Sequence, residues 1–315
     1  MSDSKIPREP ASSSARQVRV LINPRSGGWW SSQAIQKAFD DYWEGADMDL
    51  TYQFSHSVED GKQKARRAVE EGVDTVLVVG GDGMVNTIGS MLVGTPTALG
   101  VIPVGSGNGF ARHFNIPLDP ESAVRVLRHA KRRAIDVGMA NGRPFFVTCS
   151  LAWDAALVRS FERFPVRGSL PYVLAAAYEL LGYVPQPVEV QLDAEKMSWA
   201  DPLVFTVANL TQYGIGAQIA PRAKPDDGWL ELVVVARQDA PRVLASLPRL
   251  FNGSFHRLPG VVTKRFRRMT VQRAVPAPIQ MDGELVEPTN DVTVEVVPKA
   301  LTILVPAKAV AGTTS

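Results

Sequence analysis

The sequence contains a single cysteine, Cys149, among its 315 residues. An internal disulfide is therefore excluded, and a reducing compartment is the simplest fit. The four histidines are scattered and lack metal-ligand spacing, so a structural zinc site has no support. The formal net charge is only +2, which gives no reason to expect a nucleic-acid partner.

Long apolar runs are also missing. No stretch reaches the ~18 residues that a transmembrane helix requires, and the longest candidate, 172–183, contains Glu179. The first 16 residues lack the apolar core of a signal peptide and the acid-free composition of a transit peptide. We expect them to form a disordered tail, as we do residues 309–315, on a cytoplasmic protein without a transmembrane segment.

Strand and helix signals alternate over the first part of the chain. Two continuous apolar runs, 74–79 and 98–104, are typical of parallel strands whose two faces are both covered by helices. Ser57 to Asp60 resembles a capping box, and Asp119-Pro120 supplies the N-cap and first-turn residues of a further helix. A three-layer α/β domain with a parallel sheet is predicted over residues 17–140.

The pattern changes after about residue 140. Short alternating apolar runs, separated by turn residues, continue to the end of the chain, and one helical segment, 170–182, lies among them. This arrangement predicts a second, β-rich, sandwich-like domain over residues 141–298.

Two glycine-rich loops follow the two apolar strands. Gly80-Gly81-Asp82-Gly83 ends the first strand, and Gly105-Ser106-Gly107-Asn108-Gly109 ends the second. Glycines let backbone N–H groups approach phosphate oxygens, and Asp82 can hold the metal that neutralises them. A helix over 85–91 would point its positive end at the same place. The pair of loops suggests a nucleotide held between them, whereas either loop taken alone could also be a close-packed turn.

Two common nucleotide motifs do not fit. No Gly-Lys-Ser/Thr follows the first loop, which excludes a Walker loop, and Asn86 stands where a dinucleotide fingerprint has its third glycine. An acid facing a pyrophosphate also needs a cation between them. Metal-dependent phosphoryl transfer therefore fits Asp82 better than hydride transfer.

Acidic residues in three later turns have two interpretations each. Asp282-Gly283-Glu284 is either a hairpin turn or the source of a base, Glu284 or Asp282, that deprotonates a hydroxyl. Asp136, at the end of an apolar run, is either a turn residue or a metal partner. Asp226-Asp227-Gly228 is a turn or a site for a hard cation.

Taken together and in order, these motifs resemble the diacylglycerol kinase catalytic-domain family, which includes bacterial lipid kinases and the sphingosine and ceramide kinases. The resemblance runs from about Val18 to Pro306. The matching motifs are Asn23-Pro24-x-Ser26-Gly27, Gly80-Gly81-Asp82-Gly83 with Asn86, Gly105-x-Gly107-Asn108 with Phe110-Ala111-Arg112, Asp136-x-Gly138, Ser150-Leu151-Ala152-Trp153-Asp154-Ala155, Asp227-Gly228-x-Leu230 and Asp282-Gly283-Glu284.

The resemblance implies an active site in the cleft between the domains and a return strand, 299–308, that joins the first domain. It implies Glu284 as general base and Asp82 as the carboxylate on a catalytic Mg²⁺, with Asp136 as a further partner. It also implies that Asp154 lies near the position of an acid that contacts the lipid. The residues expected to hold ATP are Asn23, Pro24, Arg25, Ser26, Gly27, Ser55, Gly81, Asp82, Gly83, Met84, Val85, Asn86, Thr87, Ser106 and Asn108. Those expected to hold a structural Mg²⁺ are Lys224, Asp227 and Trp229.

Two positions depart from the family pattern. Many bacterial diacylglycerol kinases have Thr where this chain has Met84, and Asp where it has Gly109. The missing acid at 109 puts the usual aspartate–water–magnesium network in doubt. The Gly105-Ser106-Gly107-Asn108 version of the loop is closer to that of sphingosine and ceramide kinases.

The sequence thus predicts an ATP- and Mg²⁺-dependent lipid kinase that acts at a membrane surface on a diacylglycerol-like or sphingoid-base-like hydroxyl. A homodimer is left open. The first alternative is a kinase of a soluble substrate, since NAD kinases share the Gly-Gly-Asp-Gly element. The second is a nucleotide-binding regulatory module without turnover, which Met84 and Gly109 motivate and which the retained Asp82 and Glu284 oppose.

Overall fold

The computed structural model describes residues 15–24, 31–43, 48–152, 184–214, 216–236, 245–246 and 248–307. Several sequence-based expectations lie outside these residues. They concern the two tails, the ATP contacts of Arg25, Ser26 and Gly27, the lipid contact of Asp154, and the helix at 170–182.

The first domain is built on a parallel sheet. Its strands are β1 (Arg16–Ile22), β2 (Met48–Phe54), β3 (Thr75–Gly80) and β4 (Ala98–Pro103), in the spatial order β2-β1-β3-β4. All neighbours in this set run parallel. Every residue of β3 and β4 is buried, as expected for strands covered by helices on both faces.

Five helices accompany these strands: α1 (Ser32–Trp43), α2 (Val58–Glu70), α3 (Asp82–Leu92), α4 (Gly109–His113) and α5 (Pro120–Leu127). The predicted caps are confirmed, since Ser57 Oγ accepts from the Asp60 N–H at 3.1 Å and Asp119 Oδ2 from the Ser122 N–H at 2.9 Å. Helix α3 begins earlier than predicted. Asp82 is its first residue, because the chain turns into the helix directly after Gly81.

The later strands form an antiparallel arrangement. They are β5 (Lys131–Ala140), β6 (Arg143–Phe145), β7 (Thr148–Ser150), β8 (Val188–Leu192), β9 (Glu195–Trp199), β10 (Pro202–Ala208), β11 (Leu230–Ala236), β12 (Val261–Phe266), β13 (Arg268–Met281) and β14 (Glu284–Val305). Two short helices, α6 (Pro248–Phe251) and a 3₁₀ turn (Phe255–Arg257), precede β12. The order along the sheet is β12-β11-β10-β7-β13-β14, and the β8–β9 hairpin pairs with β13.

Strand β14 connects the two domains. Its first part pairs with β13, and its end runs parallel to β4, with Ile303 opposite Leu99. The described strands therefore form one continuous 14-stranded sheet. This places the β13–β14 turn beside the glycine-rich loops of the first domain. Within the described ranges, no helix is long and apolar enough to cross a membrane.

Candidate functional site

The two glycine-rich loops touch each other where β3 and β4 end. A Cβ at position 105 would lie 2.6 Å from the Cα of Gly81, closer than real side chains approach backbone atoms. Glycine at this position is therefore a packing requirement as well as a means of exposing N–H groups. The sequence prediction that the two loops form one site agrees with this contact.

Asp82 fastens the first loop to the second. Its Oδ2 accepts from the Gly109 N–H at 2.9 Å, and its Oδ1 accepts from the Phe110 N–H at 3.1 Å. The carboxylate thus satisfies the first N–H groups of α4, where negative charge is favoured. Burial raises the pKa of Asp82, while these hydrogen bonds act in the opposite direction. Asp82 has a structural task in addition to any contact with a cation.

The second loop is shaped by its own side chains. Asn108 has a left-handed backbone (φ 50°), and its amide bridges Gly105 by accepting from N–H at 3.1 Å and donating to C=O at 2.7 Å. Arg112 Nε donates to the Gly107 carbonyl at 3.0 Å. Asn108 and Arg112 are therefore used to hold the loop. Ser106, at its tip, is exposed and open to a ligand.

The predicted hairpin turn at Asp282-Gly283 is present. Met281 pairs with Glu284, and both turn residues have positive φ (49° and 92°), as in a two-residue type I′ turn. The turn carries Glu284 to the first loop: a Cβ at Gly83 would lie 2.8 Å from Glu284 Oε1. Glu284 is exposed. An accessible carboxylate of the second domain therefore lies against the first turn of α3.

Asp282 is enclosed by hydrogen-bond donors. It accepts from the N–H groups of Phe146, Val147 and Thr148 at 2.7–3.0 Å, and from Asn86 Nδ2 at 2.8 Å. Burial raises its pKa to about 6 in spite of these four bonds. Its side chain is only 6% exposed, so Glu284 is the better placed of the two candidate bases.

Four further residues proposed to hold ATP lie in α3, and the structure gives their side chains different surroundings. Val85 is 2% exposed and belongs to the core of the first domain. The Asn86 amide donates to the Pro144 carbonyl at 3.1 Å as well as to Asp282. Met84 lies on Gly80, where an added Cβ would be 2.7 Å from its sulfur. Thr87 is also buried. These side chains therefore pack within the first domain or, in the case of Asn86, contact the second domain.

Two other segments proposed to hold ATP reach the same edge of the sheet. Asn23 follows β1 and its N–H donates to the Val79 carbonyl at 3.2 Å, with Pro24 exposed beside it. Ser55 follows β2 and is 8% exposed, and its hydroxyl donates to the Ser57 carbonyl at 3.2 Å. The ends of β1, β2, β3 and β4 therefore meet at one edge, as in open α/β sheets that bind ligands there.

Asp136, expected as a further partner of the catalytic cation, contacts backbone groups of other segments. It is fully buried, and its carboxylate accepts from the Gly228 N–H at 2.6 Å and the Lys299 N–H at 2.8 Å. These donors come from a turn and from an irregularity in β14. Asp136 therefore joins distant segments of backbone beneath the turn at Asp226 to Gly228.

Both acids of that turn lie beside arginines. Asp226 pairs with Arg133 at 2.7 Å, and Asp227 pairs with Arg265. Arg265 and Arg267 also lie over the ring of Trp229, at 5.3 and 4.6 Å from its centroid. Lys224 is exposed in the same turn. The negative charges of the turn proposed to hold a structural Mg²⁺ are thus already balanced by guanidinium groups.

A loop of the second domain completes the site, and no motif had indicated it. A Cβ at Gly109 would lie 3.2 Å from the Tyr213 carbonyl oxygen and 3.3 Å from the Gly214 nitrogen. A side chain at position 109 would therefore have to displace this loop by a few tenths of an ångström. His113 contacts the same loop, because its Nδ1 accepts from the Thr211 N–H at 3.3 Å. The only sequence signal for this contact is the pair of glycines at 214 and 216.

Two family models together span nearly all of the described chain. Residues 17–140 match the model of the diacylglycerol kinase catalytic domain, and residues 148–305 match that of the YegS C-terminal NAD kinase beta sandwich-like domain. The chain belongs to the diacylglycerol kinase catalytic-domain family. The predicted family and two-domain fold are thereby confirmed.

Curated relatives are similar over much of the chain, and solved structures share its fold. A diacylglycerol kinase of Mycobacterium tuberculosis is 29% identical over 298 residues, covering 92% of this chain and 95% of the relative. A probable YegS-like lipid kinase of Chromohalobacter salexigens is 36% identical over 185 residues, covering 56% of this chain and 58% of the relative. A putative diacylglycerol kinase from Bacillus anthracis has the same fold, with a TM-score of 0.77 at 19% identity and coverage of 94% and 98%.

The acidic side chain beside the two glycine-rich loops suits a cation that binds together with a nucleotide. Three or more His, Cys, Asp or Glu side chains do not gather anywhere in the described part of the chain. Asp82 supplies one carboxylate at the first turn of α3. Mg²⁺ in kinases is commonly held by one or two carboxylates together with substrate phosphates. Asp82 fits that arrangement.

Proposed function

We propose that this protein is an ATP- and Mg²⁺-dependent kinase that phosphorylates a lipid hydroxyl. The observation that carries the proposal is the position of Glu284, whose carboxylate lies against Gly83 in the glycine-rich loop of the other domain. A proton acceptor and a phosphate-binding loop are thus adjacent, and phosphoryl transfer to an alcohol requires both.

Elements suited to ATP surround this position. Helix α3, eleven residues long, starts at Asp82, directly after two glycines, so its N-terminal N–H groups and dipole favour a phosphate there. Ser106 adds an exposed hydroxyl from the neighbouring loop. Asn23 and Pro24 end the adjacent strand and are proposed to contact the rest of the nucleotide. Mg²⁺ bound with ATP would offset the charge on the transferred phosphoryl group.

In the proposed reaction the Glu284 carboxylate takes the proton of the acceptor hydroxyl, whose oxygen attacks the γ-phosphorus of ATP. The bond from that phosphorus to the bridging oxygen of ADP then breaks. Asp282 holds the turn in place through its four hydrogen bonds, and Asp82 holds the second loop. Transfer of this kind depends mainly on positioning and electrostatic stabilisation.

The names of the curated relatives, diacylglycerol kinase and lipid kinase, support a lipid acceptor. Diacylglycerol-like and sphingoid-base-like acceptors are both retained, and the protein is proposed to work as a peripheral membrane enzyme in the cytoplasm.

The test uses purified protein, γ-labelled ATP and Mg²⁺ with separate detergent micelles of diacylglycerol, monoacylglycerol, sphingosine and ceramide, and NAD in a parallel reaction. We expect label in the organic phase with one of the lipids. Asp82→Asn should abolish it, and thermal unfolding of the variant shows whether the fold survives. Label only in NAD would assign a soluble acceptor. ATP binding without transfer in any reaction would favour a regulatory module.

A further inference from the structure

We propose that one surface of the second domain docks onto an anionic lipid bilayer. This surface, the α6 surface, consists of the exposed side chains of Arg222, Arg249, Phe251 and Arg257. Docking of this kind deepens the proposed function and rests on it for its purpose. The docking itself is measured without turnover.

The charge of this part of the chain is one-sided. Residues 240–281 contain eight lysines and arginines and no aspartate or glutamate, although the whole chain has 34 basic and 32 acidic residues. Such a segment in a nearly balanced protein creates a local positive field. Anionic headgroups attract basic groups of this kind, each contributing roughly a factor of five in binding.

Some of these cations are neutralised within the fold and others are not. Lys264 pairs with Glu195 at 3.2 Å, Arg268 pairs with Glu295 at 2.8 Å, and Arg265 pairs with Asp227. Arg249 and Arg257 are exposed and form no ion pair with any side chain in the described ranges. These two arginines are therefore available to headgroups.

An aromatic side chain projects from the same surface. Helix α6 buries none of its residues, and Phe251 is 52% exposed. Phe255, by contrast, is 7% exposed and anchors the segment in the apolar cluster between β10 and β11. A fixed base with a protruding aromatic ring and flanking arginines is the combination found in interfacial membrane binding.

The surface is continuous with the candidate active site. Phe251 Cδ1 lies 4.0 Å from the Cβ position of Gly216, and the Cβ position of Gly214 lies 3.3 Å from the Cα of Gly107. A single short loop therefore separates Phe251 from the glycine-rich loop that Asp82 holds. Docking here would bring the cleft close to the lipids from which its acceptor comes.

Charge also argues against a second copy of this chain as the occupant. The electrostatic effect of Arg222 and Arg257, after that of burial, lowers the pKa of His256, which shows how closely the cations are grouped. A symmetric contact through this surface would bring like charges together. A bilayer with negative headgroups complements them.

The experiment measures sedimentation of the protein with phosphatidylcholine vesicles that contain phosphatidylglycerol, in the absence of ATP. We expect binding that weakens with salt and is much lower on phosphatidylcholine alone. The double variant Arg249→Glu/Arg257→Glu should reduce binding at least tenfold, and Phe251→Ser should also reduce it. The matched controls are Arg16→Glu/Arg67→Glu and Leu118→Ala, which change exposed residues of the first domain and should bind as the wild type does.

Vesicle binding that is absent, or unchanged in Arg249→Glu/Arg257→Glu, would overturn the proposal. Self-association that Phe251→Ser abolishes while vesicle binding persists would assign the surface to a second copy and would also overturn it. Turnover in neutral detergent micelles separates the two claims. If the wild type binds vesicles through these residues but phosphorylates no lipid, the docking surface stands and the proposed function fails.

Discussion

The side-chain amide of Asn86 donates a hydrogen bond of 2.8 Å to the carboxylate of Asp282, 196 positions away in the chain. This bond joins helix α3 of the first domain to the turn that carries Glu284. The relative position of the phosphate-binding loop and the proposed base thus depends on a contact that neither residue's local motif reveals.

Asn86→Ala tests this contact. Removing two hydrogen bonds from the interface should lower the free energy of unfolding by about 1–3 kcal/mol. It should also reduce kcat roughly tenfold through misplacement of Glu284, while the KM for ATP stays nearly constant. Gln63→Ala, at an exposed position of α2, is the control. A rise in the KM for ATP with unchanged kcat would instead support the sequence-based assignment of Asn86 to the nucleotide.

His113 should make the stability depend on pH. Burial, aided by the charge of Arg133, lowers the pKa of His113 to about 4. The unfolded chain binds this proton near pH 6.5, whereas the folded chain binds it only near pH 4. The stability that neutral His113 contributes is therefore fully present above pH 6.5 and is lost as the pH falls towards 4. We expect a loss of about 1.4 kcal/mol between pH 7.5 and pH 5.5, measured by urea unfolding.

His113→Gln should remove that part of the pH dependence, and His129→Gln, at an exposed position, should retain it. The Thr211 N–H donates to the unprotonated Nδ1 at 3.3 Å, so protonation of that nitrogen would also break this contact. Identical pH profiles for the wild type and His113→Gln would show that the α4 contact with this loop does not depend on protonation.

Gly109→Asp should impair the protein even though many bacterial relatives of this family have an acid there. The added Cβ would lie 3.2 Å from the Tyr213 carbonyl, and overpacking of this kind costs about 1–3 kcal/mol. Ser106→Asp introduces the same carboxylate at an exposed position of the same loop and should leave stability within about 0.5 kcal/mol. Equal melting temperatures for the two variants would mean that the 210–216 loop moves aside easily.

Asp136→Asn should destabilise the fold by about 2–4 kcal/mol, because an NH₂ group would face a buried N–H donor. Asp227→Asn, at the surface, should cost less than about 1 kcal/mol. The Mg²⁺ concentration that gives half-maximal activity should be the same in Asp136→Asn as in the wild type. A several-fold rise in that concentration would return Asp136 to the catalytic cation.

The features visible in the sequence are those that local chemistry determines. The cap at Ser57 and the turn at Asp282-Gly283 each depend on residues within a few positions. Continuous apolar runs likewise identify β3 and β4, since both faces of these strands are covered. These expectations agree with the structure.

The remaining relationships depend on residues that are far apart in the chain. Asp136 receives N–H groups from Gly228 and Lys299, and a carboxylate at the end of a strand gives no sign of such partners. Asn108 illustrates a different ambiguity. Its amide suits a ribose or phosphate equally well, and only the geometry shows that it bonds to Gly105.

Glu284 is proposed to take the proton of a lipid hydroxyl during transfer from ATP. The most direct test is the initial rate of lipid phosphorylation by Glu284→Gln, with Glu287→Gln, exposed on the same strand, as the control. We predict a fall in kcat of about 10²-fold or more for Glu284→Gln, with the KM for ATP unchanged and normal turnover in Glu287→Gln. A Glu284→Gln enzyme that phosphorylates lipid at the wild-type rate would show that Glu284 is not the base.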